Sequence, residues 1–278
     1  MASSPKYISG DAAAVSEFID KFDVFLLDCD GVLWSGDHVY EGVPETIEYL
    51  RSKGKRTVFV TNNSTKSRDE YLKKLTNLGI PSEKDDVFGS SYSAAIYISR
   101  ILKLPENKRK VFIIGEAGIE HELESEGVPH IGGTDEAFRR DITNDDFKVL
   151  CGLDYHVNYL KYAHAMHYIK RGAIFLATNV DSTLPMHHDF FLGAGSCHIP
   201  VVHATGKQPL ALGKPSQAMM DAVEGKFQLD RSRTCMVGDR LNTDIKFGIE
   251  GRLGGTLHVL TGVNKKEDWE KADAIARS

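Results

Sequence analysis

The sequence predicts an α/β protein: a doubly wound parallel-sheet core with a smaller α/β unit inserted into it as a cap. Three observations predict it. Short apolar runs alternate with amphipathic stretches of helical spacing, the pattern of parallel strands joined by right-handed crossovers. A polar interruption, Pro105 to Lys110, separates one strand–helix series from a second. The chain has 278 residues, enough core volume for one large or two modest units. The boundaries expected are a core of residues 1–104 and 208–278 around a cap of 105–207.

Ala12 to Asp20 reads as a short amphipathic helix. Val24 to Leu27 is an unbroken apolar run, hence a buried strand. Glu41 to Lys53 is a helix with Val43, Ile47 and Leu50 on one face, Pro44 in its first turn and Gly54 stopping it. Thr57 to Val60 is a second buried strand, Arg68 to Leu78 a helix closed by Gly79 and Pro81, Val87 to Gly89 a short strand, and Ser93 to Leu102 a helix. After the interruption come a strand at Val111 to Ile114, a helix at Glu116 to Glu126, a strand at Val149 to Gly152, a helix at Tyr159 to Lys170 and a strand at Ala173 to Ala177. A helix follows around Ser196 to Thr205, which Pro200 must start or distort. The core then resumes with a strand at Leu210 to Leu212, a helix at Gln217 to Lys226, a strand at Thr234 to Val237, a helix at Ile245 to Glu250 and a strand at Thr256 to Leu260. The tail from Lys265 is polar and helical.

Bulk properties exclude several classes. Net charge is -5 and pI about 6.1, with basic residues scattered, which argues against nucleic acid or a membrane surface as partner. No apolar run approaches a membrane span, and Met1 to Lys6 lacks the apolar core of a secretion signal. The four cysteines (Cys29, Cys151, Cys197, Cys235) stand singly, which suits the cytoplasm, and no C-x-x-C is present to build a zinc ribbon or a redox pair.

The chemistry gathers where strands end. Asp28 and Asp30 close the first apolar run, with Gly31 behind them. Such close carboxylates share a cation or a proton. An EF-hand is excluded, since a strand precedes the motif and no glutamate closes the loop. Thr61, Asn62 and Asn63 close the second strand, Lys214 follows Leu210 to Leu212, and Asp239 and Asp244 follow Thr234 to Val237. Each cluster has an ordinary reading alone, as turn residues, a solvated lysine or a helix cap. Four clusters at the carboxyl ends of core strands can meet at one sheet edge, where open α/β sheets bind ligands. Together they describe phosphoryl transfer. Asp28, Asp30 and Asp239 offer oxygen ligands to Mg²⁺, Thr61 and Asn62 offer donors to phosphate, Lys214 offers positive charge, and a carboxylate can attack phosphorus.

Four strings carry a resemblance. Asp28–Trp34 (D-C-D-G-V-L-W), Thr61–Ser64 (T-N-N-S), Gly213–Ser216 (G-K-P-S) and Val237–Asp244 (V-G-D-R-L-N-T-D) stand in the order of the four motifs of the haloacid-dehalogenase superfamily, whose phosphatases the chain resembles over nearly its whole length. With a cap between the second and third motifs, and with Val87–Tyr92, Ala177–Pro185 and Gly193–Ser196, it is similar to the 4-nitrophenylphosphatase and phosphoglycolate phosphatase branch of eukaryotes, fungi included. The resemblance implies Asp28 as nucleophile, Asp30 as general acid and then base, and Mg²⁺ held by Asp28, the Asp30 carbonyl and Asp239. It implies Thr61, Asn62, Asn63 and Lys214 around the phosphoryl group, and Asp244 behind them. Relatives acting on pyridoxal phosphate carry histidine before the cap-loop proline. Leu184 stands here, which favours small anionic esters such as 2-phosphoglycolate, with 4-nitrophenyl phosphate as an artificial substrate. A homodimer through the cap is implied as well. His187 and His188 read as loop surface. Relatives run on to a closing helix, so an edge element is expected to be missing or short at Ser278. A phosphotransferase, a dehalogenase and a non-catalytic binding protein on this fold are the competing readings. Asp30 favours hydrolysis over dehalogenation, which needs no acid for an alkoxide.

Overall fold

A computed structural model describes residues 5–105, 110–135, 148–186 and 189–268. The elements in chain order are α1 (Ala12–Asp20), β1 (Val24–Leu27), β2 (Trp34–Ser35), β3 (His38–Val39), α2 (Val43–Ser52), β4 (Arg56–Thr61), α3 (Arg68–Asn77), β5 (Val87–Gly89) and α4 (Ser90–Ile96). The second series is β6 (Val111–Ile114), α5 (Ala117–Ser125), β7 (His130–Gly132), β8 (Lys148–Cys151), α6 (Tyr159–Lys170), β9 (Phe175–Ala177), β10 (Thr183–Met186), β11 (Asp189–Leu192) and α7 (Ala194–Thr205). The chain closes with β12 (Leu210–Ala211), α8 (Gln217–Phe227), β13 (Thr234–Gly238), α9 (Lys246–Glu250) and β14 (Gly255–His258).

Two parallel sheets result. The first has the order β14-β13-β1-β4-β5, so β1 is central. Successive strands add to one side of β1, at β4 and β5, and later to the other, at β13 and β14. The crevice of an open α/β sheet lies where the order reverses, which here is the carboxyl end of β1. All four residues of β1 are buried, because both faces are covered. Phe25 and Leu27 pack with Trp34, Ile47, Leu50, Phe59 and Tyr71, and Val24 and Leu26 pack with Val58, Val60, Phe88 and Met236. Period-two alternation thus feeds two cores from one strand.

The second sheet has the order β12-β9-β8-β6-β7, again parallel. Its apolar faces are Ile113, Leu150 and Leu176 on one side and Phe112, Ile114, Val149 and Phe175 on the other. All seven residues of α4 are buried. Its Tyr92 and Ile96 pack on the first core, its Ala94 and Ala95 on the second.

The structure corrects one expectation that bears on the site. The strand at Leu210 is not a core strand. β12 pairs with β9 at the edge of the second sheet, so Lys214 enters the crevice from the cap side. An isolated apolar triplet carries no information about which sheet it will join. We accordingly propose an insert of residues 105–212, five residues longer than expected.

Smaller differences have local causes. The helix expected from Ser93 starts at Ser90, directly on β5, and its last turn widens at Tyr97–Ile101, where the Leu102 N–H donates to the Tyr97 carbonyl. α7 begins at Ala194, which leaves Pro200 inside it. The edge strand β7 and the hairpins β2–β3 and β10–β11 were not expected. None of these strands contains an unbroken apolar run of four residues that would mark it in the sequence. No helix among the described residues is long and apolar enough to cross a membrane. His187, His188, most of the Pro105–Lys110 interruption and most of the tail after Lys265 lie outside the described residues.

Candidate active site

β1 ends at Leu27, and the Asp28 N–H still donates to the Val237 carbonyl of β13 at 2.9 Å. The chain then turns through Gly31 at φ +89°. Only glycine suits that turn twice over. The left-handed φ disfavours a side chain, and a Cβ would stand 2.6 Å from Asp239 Oδ2. Gly238 plays the same part on β13, where a Cβ would fall 2.0 Å from the Asp244 Cβ. The glycines let the two aspartate loops close on one another.

Four of the residues singled out by spacing meet here. Asp28, Asp239 and Asp244 each present a carboxylate oxygen within 4.8 Å of the others. Lys214, 1% exposed, places its ammonium 2.6 Å from Asp28 Oδ1, 2.8 Å from Asp244 Oδ1 and 2.7 Å from the Val60 carbonyl. Burial alone would discharge such a lysine, but the Asp244 and Asp28 carboxylates outweigh it and hold its pKa above the ordinary value. Burial, then repulsion from Asp244, pushes Asp28 well above the usual carboxylate range. The same two causes raise Asp239 to about 6.

The balance of charge is therefore incomplete. Three carboxylates against one ammonium leave a formal charge of minus two in a buried space. Asp239 Oδ2 accepts the Val263 N–H at 2.6 Å, while its Oδ1 is buried without a hydrogen-bond partner. An orphaned carboxylate oxygen among hard oxygen donors fits a divalent cation such as Mg²⁺. Asp244, expected behind the ligands, belongs to the carboxylate cluster itself, and the Asp30 side chain does not. Asp30 Oδ1 instead accepts the indole N–H of the fully buried Trp34 at 2.8 Å.

Asn62 differs from its expected use. Its Nδ2 donates to Asp181 Oδ2 and to the Lys214 carbonyl, both at 3.0 Å, and its Oδ1 accepts the Lys214 N–H at 2.7 Å. Both amide hydrogens are spent on protein, so the side chain braces the Lys214 turn. Asn63 accepts from the N–H and hydroxyl of Thr65 and so shapes its own loop. Thr61 accepts the Asn63 N–H through Oγ1 and stands with Asn62, Asn63 and Ser64 on the cavity wall. Cys29, between the two aspartates, is fully buried and its thiol is pushed far up by burial, which makes it inert.

These residues line a cavity of about 60 Å³, room for a few waters or one phosphoryl group at ~10–15 Å³ per water. The cap contributes Leu153, Asn179, Asp181, Thr183, Leu184 and Ala194, and the β13 loop contributes Arg240 and Thr243. Leu184 also packs with Leu153, Ala194 and Cys197.

Comparison with known proteins agrees with this geometry. Residues 25–129 match the family model of haloacid dehalogenase-like hydrolases, and residues 211–278 match the HAD-hydrolase-like model. The chain belongs to the haloacid dehalogenase-like hydrolases. It is 50% identical over 269 residues to a 4-nitrophenylphosphatase of Schizosaccharomyces pombe, covering 93% of this chain and 90% of that one. It is 44% identical to the chloroplastic phosphoglycolate phosphatase 1A of Arabidopsis thaliana, covering 89% and 71%. Among solved structures, the 4-nitrophenylphosphatase of Thermotoga maritima superposes with a TM-score of 0.80 at 32% identity, over 92% of each chain. A glycerol phosphate phosphatase of Mycobacterium tuberculosis, in complex with magnesium, gives 0.78 at 32% identity, over 90% and 71%. As in this family of hydrolases, a core sheet carries the aspartates and an inserted cap roofs them. Asn179, Asp181, Thr183 and Arg240 were not singled out as site residues, although the strings Ala177–Pro185 and Val237–Asp244 contain them. The arginine reads equally as a loop charge. The cap residues become part of the site only through the fold.

Proposed function

We propose that this hydrolase is a Mg²⁺-dependent phosphatase of small phosphorylated metabolites, with 2-phosphoglycolate as its lead substrate and 4-nitrophenyl phosphate as an artificial one. The observation that carries the reading is the junction of Asp28, Lys214 and the Asp239–Asp244 carboxylates at the end of β1, opening on a phosphoryl-sized space under Leu184. A Mg²⁺ ion held by Asp28 and Asp239, with Asp244 beside them, would supply the missing positive charge, keep Asp28 ionised and polarise the phosphoryl oxygens.

Asp28 attacks phosphorus, and the ester P–O bond breaks as Asp30 gives its proton to the departing alcohol. The product of this step is an aspartyl phosphate on Asp28. Asp30, now a base, takes a proton from water, and the resulting hydroxide displaces Asp28 to release inorganic phosphate. The indole N–H of Trp34 fixes the Asp30 carboxyl for both transfers. Lys214 holds the nucleophile and offsets the charge that gathers around it. The cap keeps bulk water away until the alcohol leaves.

Leu184 supports a compact anionic ester over pyridoxal phosphate, since a leucine offers no donor to a pyridine ring. The relatives' names support the same choice. Four free, buried cysteines support a reducing compartment such as the cytoplasm. Exposed Phe190, Phe191 and Leu192 on the cap hairpin support pairing of two copies through the cap, which a monomeric mass in solution would exclude.

The test is phosphate release from 2-phosphoglycolate, pyridoxal phosphate and 4-nitrophenyl phosphate, with Mg²⁺ or EDTA, by wild type and Asp28→Asn. Metal-dependent turnover fastest on 2-phosphoglycolate and absent in the variant is expected. Preference for pyridoxal phosphate would overturn the substrate, and no turnover of any ester would overturn the reaction.

A further inference from the structure

We propose that Arg240 is a specificity-determining residue of this cavity, a receptor for a carboxylate carried by the leaving alcohol of the phosphate ester. The inference rests on the phosphatase reading above and assigns to one side chain the choice among its substrates.

The cavity has two cations on its wall, and they differ in what they have left to give. Lys214 has three ammonium hydrogens and three acceptors: Asp28, Asp244 and the Val60 carbonyl. It can take no second anion without releasing one of them. Arg240 has five guanidinium donors. One, at Nη2, reaches the Thr183 carbonyl at 3.2 Å. Among the described residues no carboxylate stands within ion-pair reach of this guanidinium. An arginine on the wall of a half-open cavity, with no carboxylate in ion-pair contact, is a receptor in want of an anion.

Its position gives the anion's place. The Arg240 N–H is tied to Asp244 Oδ2 at 3.1 Å, so the residue starts beside the carboxylate cluster of the core. Its guanidinium ends at Thr183, next to Leu184 in the cap hairpin. An ester with phosphorus at Asp28 must direct its alcohol out under Leu184, and so past Arg240. A planar, two-oxygen anion a few atoms from phosphorus matches the planar fork of donors there.

The neighbouring carboxylates attract Arg240 only at a distance. Asp181 and Asp239 both feel its charge, but neither stands in ion-pair contact with it, and Asp181 Oδ2 is held by Asn62. Leu184, Leu153 and Ala194 are apolar and leave the guanidinium the stronger donor on that wall.

The test compares two esters of nearly equal size, 2-phosphoglycolate and 2-hydroxyethyl phosphate, in which the carboxylate becomes a hydroxymethyl group. kcat/KM for each is measured with Mg²⁺ for wild type, Arg240→Gln and Arg240→Lys. The wild type should prefer the carboxylate ester. Arg240→Gln should cut that preference ~10- to 100-fold, chiefly through KM, as expected for loss of a charge-assisted pair. Arg240→Lys should keep part of it. If the preference is the same in Arg240→Gln as in wild type, whatever the absolute rates, Arg240 serves only the cap contact or Asp244 and the inference falls. Should Arg240→Gln fail to fold, the wild type still decides: equal kcat/KM for the two esters overturns the proposal. Failure of the wild type to hydrolyse 4-nitrophenyl phosphate would bring down the phosphatase reading and this one with it. Normal turnover with an unchanged preference brings down this one alone.

Discussion

Replacing Asp239 by asparagine should make the metal-free protein more stable while destroying its activity. The carboxyl titrates at about 6 in the folded chain instead of 3.8, because it is buried and faces Asp244. At ~1.4 kcal/mol per pH unit that difference is about 3 kcal/mol. The sign follows from proton counting. Between the two values the folded state holds a proton that the unfolded chain has given up. Stability therefore falls as pH rises through that window, and above about pH 7 the whole penalty is present. Asparagine has no proton to lose and keeps an oxygen for the Val263 N–H. Urea unfolding in EDTA should place Asp239→Asn above wild type by up to about 3 kcal/mol at pH 8, with the two converging near pH 4. Mg²⁺ should raise the stability of wild type at pH 8 and leave the variant nearly unchanged. A variant less stable than wild type at pH 8 in EDTA would refute the reasoning. It would mean that the carboxylate is satisfied by the protein and waits for no cation.

Three further outcomes follow from the same contacts. Lys214→Met should cost roughly 3–5 kcal/mol at neutral pH, since it strands two buried carboxylates, and less as pH falls, because the raised Asp28 takes up a proton more readily than an ordinary carboxylate. A pH-independent loss in urea melts would contradict this. Asp30→Asn should slow hydrolysis of an alkyl phosphate ~10²- to 10⁴-fold, but spare the first step on 4-nitrophenyl phosphate, whose phenolate leaves unprotonated. Stopped-flow release of 4-nitrophenol slowed as much as the alkyl ester would remove Asp30 from its role as acid. Leu184→His should raise kcat/KM for pyridoxal phosphate relative to 2-phosphoglycolate, and an unaltered ratio would show that the hairpin does not select the substrate.

Much of this was legible before folding, for a physical reason. A strand buried on both faces must be apolar throughout, so a carboxylate can stand only where the strand ends, and Val24–Leu27 followed by Asp28 advertises both facts at once. The same logic located Thr61 and Asp239. It failed for Lys214, whose preceding strand, Leu210–Ala211, is too short to declare its sheet. Nor does it foresee that Asn62, standing where a phosphate-binding residue is expected, spends its side chain on Lys214 and Asp181. Residue type and spacing reveal which groups are available at an edge. Only the full set of partners reveals which of their donors remain unspent, and Arg240 came into view for that reason.

The placement of Lys214 on the cap side changes how the site holds together. The nucleophile Asp28 belongs to the first sheet, while the cation that grips it at 2.6 Å follows the edge strand of the second. Nothing in either sheet alone fixes that distance. Asn62, at the end of β4, supplies the link: its side chain ties down both the N–H and the carbonyl of Lys214, and its own carbonyl accepts Ser90 at 2.5 Å and Asn179 at 2.7 Å. One residue thus joins the core strand, α4, the loop after β9 in the insert and the segment by which the chain leaves the insert. Close approach of Gly118 to the backbone of Lys66, where a Cβ would stand only 2.5 Å away, presses the same two bodies together nearby. The site is therefore built at the seam between sheets, and the amide that spacing marked for the substrate is what keeps the seam in register.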